Sequence, residues 1–419
     1  MRGSALRSEY IRNLTILVTG SASAQFIALA LSPVFSRYYS PHEFGLLAVF
    51  MSILSALSVI VCLRYEFAII PARTVDDASA LLQLSLKITL LTTLLSLAGV
   101  TIFNLFFSGN KDLSNWLWLL PVMTLANGSY QAMLNWANRH KNYKLISRYR
   151  IINSIIANGV ILAAALLGYI TYGLLVGFVA GGVTAMLVLY ISIQKSNAPF
   201  AFNLGNAKLR ETARKYDVFP KVNLWQAFAD MLLINGVIYF LTFFFSQAVV
   251  GLYGMTMRVL QAPFNLIGYS IGQIFLQEAA HQYHEGKNIQ PLIKKSILRT
   301  AVVALPIVII LVITGPDIFA FVFGDQWRES GQFARILAPW FFLDFIRTPI
   351  SQVPVITGQQ KRLFSLSIIG NLLMIFSLLF GGLWLKDYII VVSLFTVSQC
   401  VYLLYVIYWI YSKAALGKS

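Results

Sequence analysis

Apolar residues occur along this chain in long blocks, and most of the charge sits in the short stretches between them. Charged and turn residues delimit twelve blocks: 13–35, 44–65, 79–107, 115–136, 150–170, 173–194, 222–245, 249–276, 298–323, 333–356, 364–385 and 388–411. Each is close to the roughly 17–25 residues that carry an α-helix across a bilayer. Lipid offers no partners to free backbone groups, so a spanning segment is a helix or a closed barrel strand, and blocks this long predict helices. The pattern predicts an all-α integral membrane protein of twelve transmembrane helices. The connections are too short for a large domain outside the membrane.

Composition agrees. Of the 419 residues, 58% are hydrophobic and 11% charged, against about 45–50% and about 25% in soluble domains. The net charge of +16 could suit nucleic acid. However, the basic residues lie between apolar blocks, where an anionic membrane surface is the fitting partner, so nucleic acid is set aside.

Their distribution predicts topology. One set of connections and span ends holds Arg2, Arg7, Arg12, Arg64, Arg73, Lys87, the Arg139–Arg150 group, the Lys195–Lys221 group, Lys287, Lys294, Lys295, Arg299, Lys361, Arg362, Lys413 and Lys418. The alternate set holds only Arg37, Lys111, Arg328, Arg335 and Lys386. The division is 25 against 5, with Arg258 and Arg347 completing the 32. The positive-inside rule then places both termini in the cytoplasm. Ala22-Ser23-Ala24 mimics a cleavage site, but the apolar run before it, Leu14–Val18, is shorter than the about 7–15 residues a signal peptide needs. An uncleaved first span is expected. Cys62 and Cys400 lie in apolar blocks and His42, His140, His281 and His284 in connections, which gives no disulfide framework and no metal pattern. Gly417-Lys418-Ser419 lacks the earlier glycine of a phosphate loop, so no ATP site and no cofactor are expected.

The longest polar stretch divides the chain into an N-terminal lobe (1–194), a basic cytoplasmic linker (195–221) and a C-terminal lobe (222–419). The lobes share a motif. Ser40-Pro41-His42-Glu43-Phe44-Gly45-Leu46 corresponds to Ser246-Gln247-Ala248-Val249-Val250-Gly251-Leu252, and Asn138-Arg139-His140-Lys141 weakly echoes Gly358-Gln359-Gln360-Lys361. Six spans return the chain to its starting side, so the halves would be parallel repeats, as in many secondary transporters.

Arg37-Tyr38-Tyr39-Ser40-Pro41-His42-Glu43-Phe44-Gly45, followed by Leu63-Arg64-Tyr65-Glu66-Phe67-Ala68-Ile69-Ile70-Pro71, resembles the start of the Wzx-type polysaccharide (O-antigen) flippases. These belong to the multidrug/oligosaccharidyl-lipid/polysaccharide exporter superfamily, with the MATE exporters and the lipid II flippase. Asn138-Arg139-His140-Lys141-Asn142-Tyr143-Lys144 and the duplicated Ser-x-x-x-x-Gly-Leu are similar to the same family. The resemblance implies two six-helix lobes around a central cavity in a bacterial inner membrane. The implied activity moves an undecaprenyl-diphosphate-linked oligosaccharide from the cytoplasmic to the periplasmic leaflet, in lipopolysaccharide biosynthesis and in contact with other polysaccharide-assembly proteins.

Polar residues inside apolar helices are costly and usually face a bundle interior or water. At about 100° per residue, Arg258, Gln261, Asn265, Gly268, Tyr269 and Gly272 share one face of a helix that Pro263 can kink. Arginine pairs with phosphate oxygens bidentately, so Arg258 is the first candidate for a diphosphate, with a structural pair to Asp230 or Asp344 as the alternative. Arg347 is a second candidate, but Asp344 stands three residues before it, within ion-pair reach on a helix. Asp230 and Asp344 are candidates for coupling to H+ or Na+. Gln25 with Ser21 and Ser32, and Asn127 with Gln131, suit sugars or interhelical hydrogen bonds. Arg64 can meet a diphosphate or anchor topology, and Arg37, Arg64 and Glu66 sit at helix ends, where charge is ordinary. Gly173, Gly177 and Gly181 have the spacing of a packing stripe.

An ion-coupled secondary transporter that is not an enzyme accounts best for these features. A MATE-type organic-cation exporter is the alternative, and cationic faces suit it less. A glycan polymerase or ligase needs more external structure than these connections supply; Asp325 and Glu329 in the longest of them read as a solvated turn.

Overall fold

The structure, a computed structural model, describes residues 2–106, 111–196, 200 and 204–414, and describes no side chains at 2–18, 111–113, 233, 262–270, 273, 274 and 284. Gly417, Lys418 and Ser419 lie outside it, as do the side chains of Asn265, Pro263 and Tyr269. Every regular element among the described residues is helical. The first half contains α1 (Arg2–Tyr38), α2 (Pro41–Ile60), α3 (Tyr65–Ala68), α4 (Val75–Phe106), α5 (Lys111–Leu117), α6 (Leu120–Arg139), α7 (Tyr143–Leu166), α8 (Ile170–Gln194) and α9 (Asn206–Lys215). A π turn, Phe219–Asn223, leads into α10 (Leu224–Phe244). There follow α11 (Gln247–His284), α12 (Gln290–Phe323), α13 (Arg328–Ile350), α14 (Val353–Ile356), α15 (Gln360–Phe380) and α16 (Tyr388–Lys413).

The predicted blocks fall on these helices, and those at 44–65, 115–136, 150–170 and 333–356 run over breaks at 61–64, 118–119, 167–169 and 351–352. The expectation of twelve spans is not confirmed. Among the described residues seven helices are long and apolar enough to cross a membrane: α2, α4, α7, α8, α12, α15 continued to Leu385, and α16. An eighth is the pair Phe219–Leu232 and Ile234–Phe244, bent by 51°, if it is one span. Two of the helices that fall short explain themselves. α6 carries Asn127, Gln131 and Asn135, and α13 carries Arg335, Asp344 and Arg347; such residues lower hydropathy and in a membrane must face protein or water.

Packing divides the chain into two units, Met1–Tyr39 with Leu46–Gly236, and Ser40–Gly45 with Val237–Ser419. In the first, Ser154 donates from Oγ to the Ala24 carbonyl at 2.9 Å and Tyr39 from its hydroxyl to that of Ile161 at 2.8 Å, which fixes α1 and its end on α7. The glycine stripe of α8 packs on α7 at Ala164, Ile161 and Ala157. Val61, Cys62, Leu81, Leu82, Met133, Trp136 and Leu189 form a buried core between α4, α6 and α8. Residues 206–215, within the stretch read as a linker, form α9 and are tied to α4. Asp77, almost fully buried, receives Lys215 Nζ at 2.6 Å and has Lys208 Nζ at 3.7 Å. In addition, Tyr65 donates from its hydroxyl to the Ala213 carbonyl at 3.1 Å.

The second unit contains the physical meaning of the duplicated motif. Ser40 precedes α2, with its backbone N–H donating to Glu43 Oε2 at 2.8 Å, and Ser246 caps α11 by accepting from the Val249 N–H. Five residues on, Gly45 and Gly251 meet reciprocally. A Cβ on Gly45 would stand 1.7 Å from the Gln247 carbonyl oxygen, and one on Gly251 would stand 1.8 Å from that of Pro41. Only hydrogen fits at either position, so each glycine lets the other helix's first turn approach. Elsewhere in this unit Phe275, Ile293, Ile350, Leu366, Val406 and Trp409 are buried together.

Candidate functional site

The connection from α2 to α4 is shaped by its backbone. Leu63 and Arg64 take left-handed conformations, φ 49° and 66°, which reverse the chain and start the single turn of α3. The return to α4 is then clamped by one side chain. Arg139 Nη1 donates to the carbonyls of Ile69, Ile70 and Ala72 at 2.8–2.9 Å, and Nη2 to Thr74 at 3.3 Å. The two stretches that carried the sequence resemblance, Leu63–Pro71 and Asn138–Lys144, are thus one structural device. Sequence reasoning read Arg139 as a basic charge within a repeated, family-like segment and gave its side chain no partner.

Beside this turn, and within the first unit, lies a cavity of about 350 Å3. Ser55 and Ser58 of α2, Arg64, Gln131 of α6, and Asp230 and Asn235 of α10 line it. Its polar wall is ordered: Asn235 Nδ2 donates to Ser55 Oγ at 3.2 Å, and Asn127 Nδ2 to Ser58 Oγ. The Arg64 guanidinium lies 5.2 Å from the centre of the Phe67 ring, and its Nε is buried without a hydrogen-bond partner. Asp230 takes part in no ion pair among the described residues and is exposed to the cavity side of α10. A cation with an unused donor, a carboxylate and four amide or hydroxyl groups can together hold a polar, charged headgroup. Three sequence candidates, Arg64, Gln131 and Asp230, are brought together here, and Asn127 is one hydrogen bond away.

Glu66 corrects the expectation of an ordinary helix-end charge. It is fully buried, and neither carboxylate oxygen has a hydrogen-bond partner. Burial in this connection between spans pushes its carboxyl up to about 7, against the charge of nearby Arg64. No periodicity could have found it, because its burial comes from the chain reversal at Arg64.

The other candidates are not among the residues that line this cavity. Arg258 is half-buried on α11 and makes no hydrogen bond or ion pair among the described residues of its own unit, where Asp344 pairs with Arg347 instead. Gln261 on the same helix is exposed and, among the described residues, reaches Met257 Sδ at 3.7 Å. Arg347 and Asp344 neutralise each other on α13: Nη2 and Nε stand 2.6 and 3.1 Å from Asp344 Oδ1. That pair uses the strongest contact of both candidates. On α1, Gln25 is exposed, while Ser21 accepts from Arg150 and Ser32 donates to its own helix at the Ala28 carbonyl, 2.8 Å away. Arg150, read before as a cytoplasmic charge, is an interhelical tie between α7 and α1.

Residues 34–332 match the family model described as polysaccharide biosynthesis protein. In three dimensions the chain is similar to the lipid II flippase MurJ in an inward closed conformation, at 15% identity and a TM-score of 0.70, covering 96% of this chain and 90% of that one. It is similar to an inward-facing multidrug resistance MATE family transporter of the MOP superfamily, at 13% identity and a TM-score of 0.64, over 96% and 98% of the two chains. A MOP superfamily transporter from Pyrococcus furiosus, described as having a binding pocket of reverse polarity, matches at 12% identity and a TM-score of 0.57, over 97% and 96%. Identities this low establish a shared fold and nothing finer. No curated protein matches the sequence.

Proposed function

The chain belongs to the polysaccharide biosynthesis protein family, and we propose that it flips an undecaprenyl-diphosphate-linked oligosaccharide from the cytoplasmic to the periplasmic leaflet of a bacterial inner membrane. The observation that carries this reading is the first-unit cavity, where a guanidinium with a free buried donor stands among amides, hydroxyls and the Asp230 carboxylate. Diphosphate oxygens suit the guanidinium, which pairs with them bidentately and keeps its charge when partly dehydrated. Sugar hydroxyls suit Gln131, Asn127 and the serines. Arg258, in no ion pair among the described residues, is the second diphosphate group; Arg347 serves only if its pair with Asp344 opens.

Transport by alternating access needs an energy source, and Asp230 is the group that would take up H+ or Na+, because it forms no ion pair among the described residues. Both termini and α9 lie on the cytoplasmic side in this reading, following the 25-to-5 distribution of Lys and Arg. The lobes exchange access as halves 1–194 and 222–419, with 195–221 between them. The fold relatives are transporters and a flippase, which supports a role without covalent chemistry. An organic-cation exporter is the second reading, and the Asp230 carboxylate in the cavity favours it.

A deletion strain carrying the gene decides between them. With wild type, lipid-linked glycan becomes accessible on the outer leaflet; without it, the glycan accumulates on the inner one. Unchanged glycan sidedness together with acquired sensitivity to cationic dyes would establish the exporter.

A further inference from the structure

A second cavity, of about 460 Å3, opens where the start of α15 meets the end of α16. These two helices are antiparallel and tightly seamed: Gln399 Nε2 donates to the Gly370 carbonyl at 3.0 Å and Ser398 Oγ to Ser377 Oγ at 3.3 Å. Both pass as membrane spans, Gln360–Leu385 and Tyr388–Lys413, with mean hydropathies of 2.2 and 2.1. Their first and last turns therefore mark one edge of the hydrocarbon layer. Arg362 and Lys413 line the cavity at that edge, with Tyr405, Tyr408 and Trp409 below them. Neither cation takes part in a hydrogen bond or an ion pair among the described residues, and no acidic residue lines the cavity. Trp409 is buried against Leu366 and Val406, which gives the cavity a firm floor. Tyr408, by contrast, is 68% exposed, and Val401 and Leu404 on the same helix are 62% and 55% exposed.

The geometry points to a binding site for an anionic phospholipid, its phosphate between Arg362 and Lys413 and its acyl chains along the exposed apolar side of α16. Two uncompensated cations at the hydrocarbon edge select a phosphate that carries net charge. Basic pockets between membrane helices recognise headgroups in this way. The tyrosines present apolar rings to the chains and hydroxyls to the headgroup level, as aromatic residues do at membrane interfaces. A continuous apolar strip leading from the cations favours a lipid over a free anion, which has no use for it. This inference concerns a resident lipid and stands whether or not the cargo is a lipid-linked glycan.

Binding to the purified full-length protein in neutral detergent tests it, by native mass spectrometry with short-chain phosphatidylglycerol, phosphatidylcholine of the same chain length, and inorganic phosphate. Wild type should prefer phosphatidylglycerol by about tenfold or more, on the order of what two cations near a phosphate supply. R362Q/K413Q should lose that preference, while K294Q/K295Q, the same charge change at exposed positions of α12, should keep it. Retained preference in R362Q/K413Q overturns the proposal, as does equal loss in the α12 variant, which would mean diffuse attraction. Displacement of the lipid by an equal concentration of inorganic phosphate overturns it too, by making the site one for a free anion. Should the double variant not fold, R362Q and K413Q singly carry the test, each with a partial loss expected; no loss in either refutes the assignment.

Discussion

In the cavity of the first unit a guanidinium, Arg64, shares the walls with a carboxylate, Asp230, and with amides and hydroxyls from three helices. The cavity at the end of α15 and α16 has two cations, Arg362 and Lys413, and no carboxylate. The difference bears on what each can do. A cavity that carries both signs among hydrogen-bonding groups can be reset by one proton or ion, and so can take up a charged ligand and let it go. A cavity with uncompensated positive charge has no internal competitor for an anion and holds it. In our proposals the first serves traffic and the second residence.

The largest effect that would break this contrast is on transport. Arg64→Ala should lower glycan flipping by about tenfold or more, since a hydrogen bond to a charged group is worth about 1.5–3 kcal/mol. Arg64→Lys should recover only part, having the charge without the planar fork. Sidedness of the lipid-linked glycan at equal protein abundance is the measurement, and full flipping by Arg64→Ala would remove the first cavity from the mechanism.

Acidity should then separate the two regions. The Glu66 carboxyl, ordinarily near 4.5, is raised to about 7 in the folded chain, so the folded state holds a proton that the unfolded state has released between those values. Stability is therefore highest at and below about pH 4.5, falls as pH rises toward 7, and levels off above. The fall should be on the order of 1–3 kcal/mol. Thermal unfolding in detergent at pH 5 and pH 8 checks it, and Glu66→Gln should flatten the dependence. Phosphatidylglycerol binding at the second cavity should not change over the same interval. A shared pH dependence would mean that the two regions are not independent.

The smallest effect is expected at Asp344 and Arg347, a pair in which both side chains are about one-third exposed. Asp344→Asn should cost no more than about 1 kcal/mol in stability, as partly solvated ion pairs do, and should leave abundance near normal. A large loss would show that the second unit, too, depends on internal charge balance.

What the sequence revealed, and what it hid, follows from the range of the forces involved. Helix positions were legible because apolar length is a local property. The motif around Gly45 and Gly251 was legible as a repetition, although not as a contact. Arg64, Gln131 and Asp230 were recognised singly as polar groups in apolar surroundings; that they share a cavity depends on the packing of α2, α6 and α10. Glu66 was missed because a left-handed turn, not a helix face, buries it. Arg139 and Arg150 looked like members of a charge distribution, and their partners are carbonyls and a serine remote in sequence. The cavity at Arg362 and Lys413 joins two helix ends that only folding brings together. The count of twelve spans is not confirmed, because long blocks with amides or charges look alike whether they cross lipid or line a protein interior.

The reciprocal contact of Gly45 and Gly251 also bears on the order in which the molecule is made. Residues Ser40–Gly45 pack with the second unit although they begin the second helix of the chain. A ribosome delivers that short segment long before the helix it will receive, so the notch at Gly45 stays vacant until α11 has emerged. A gene cut in the 197–203 stretch would place one glycine on each product, and the downstream product alone would lack six residues of its own unit. Co-production of the upstream piece is then expected to raise the yield of the downstream one, a dependence written into the chain by two missing side chains.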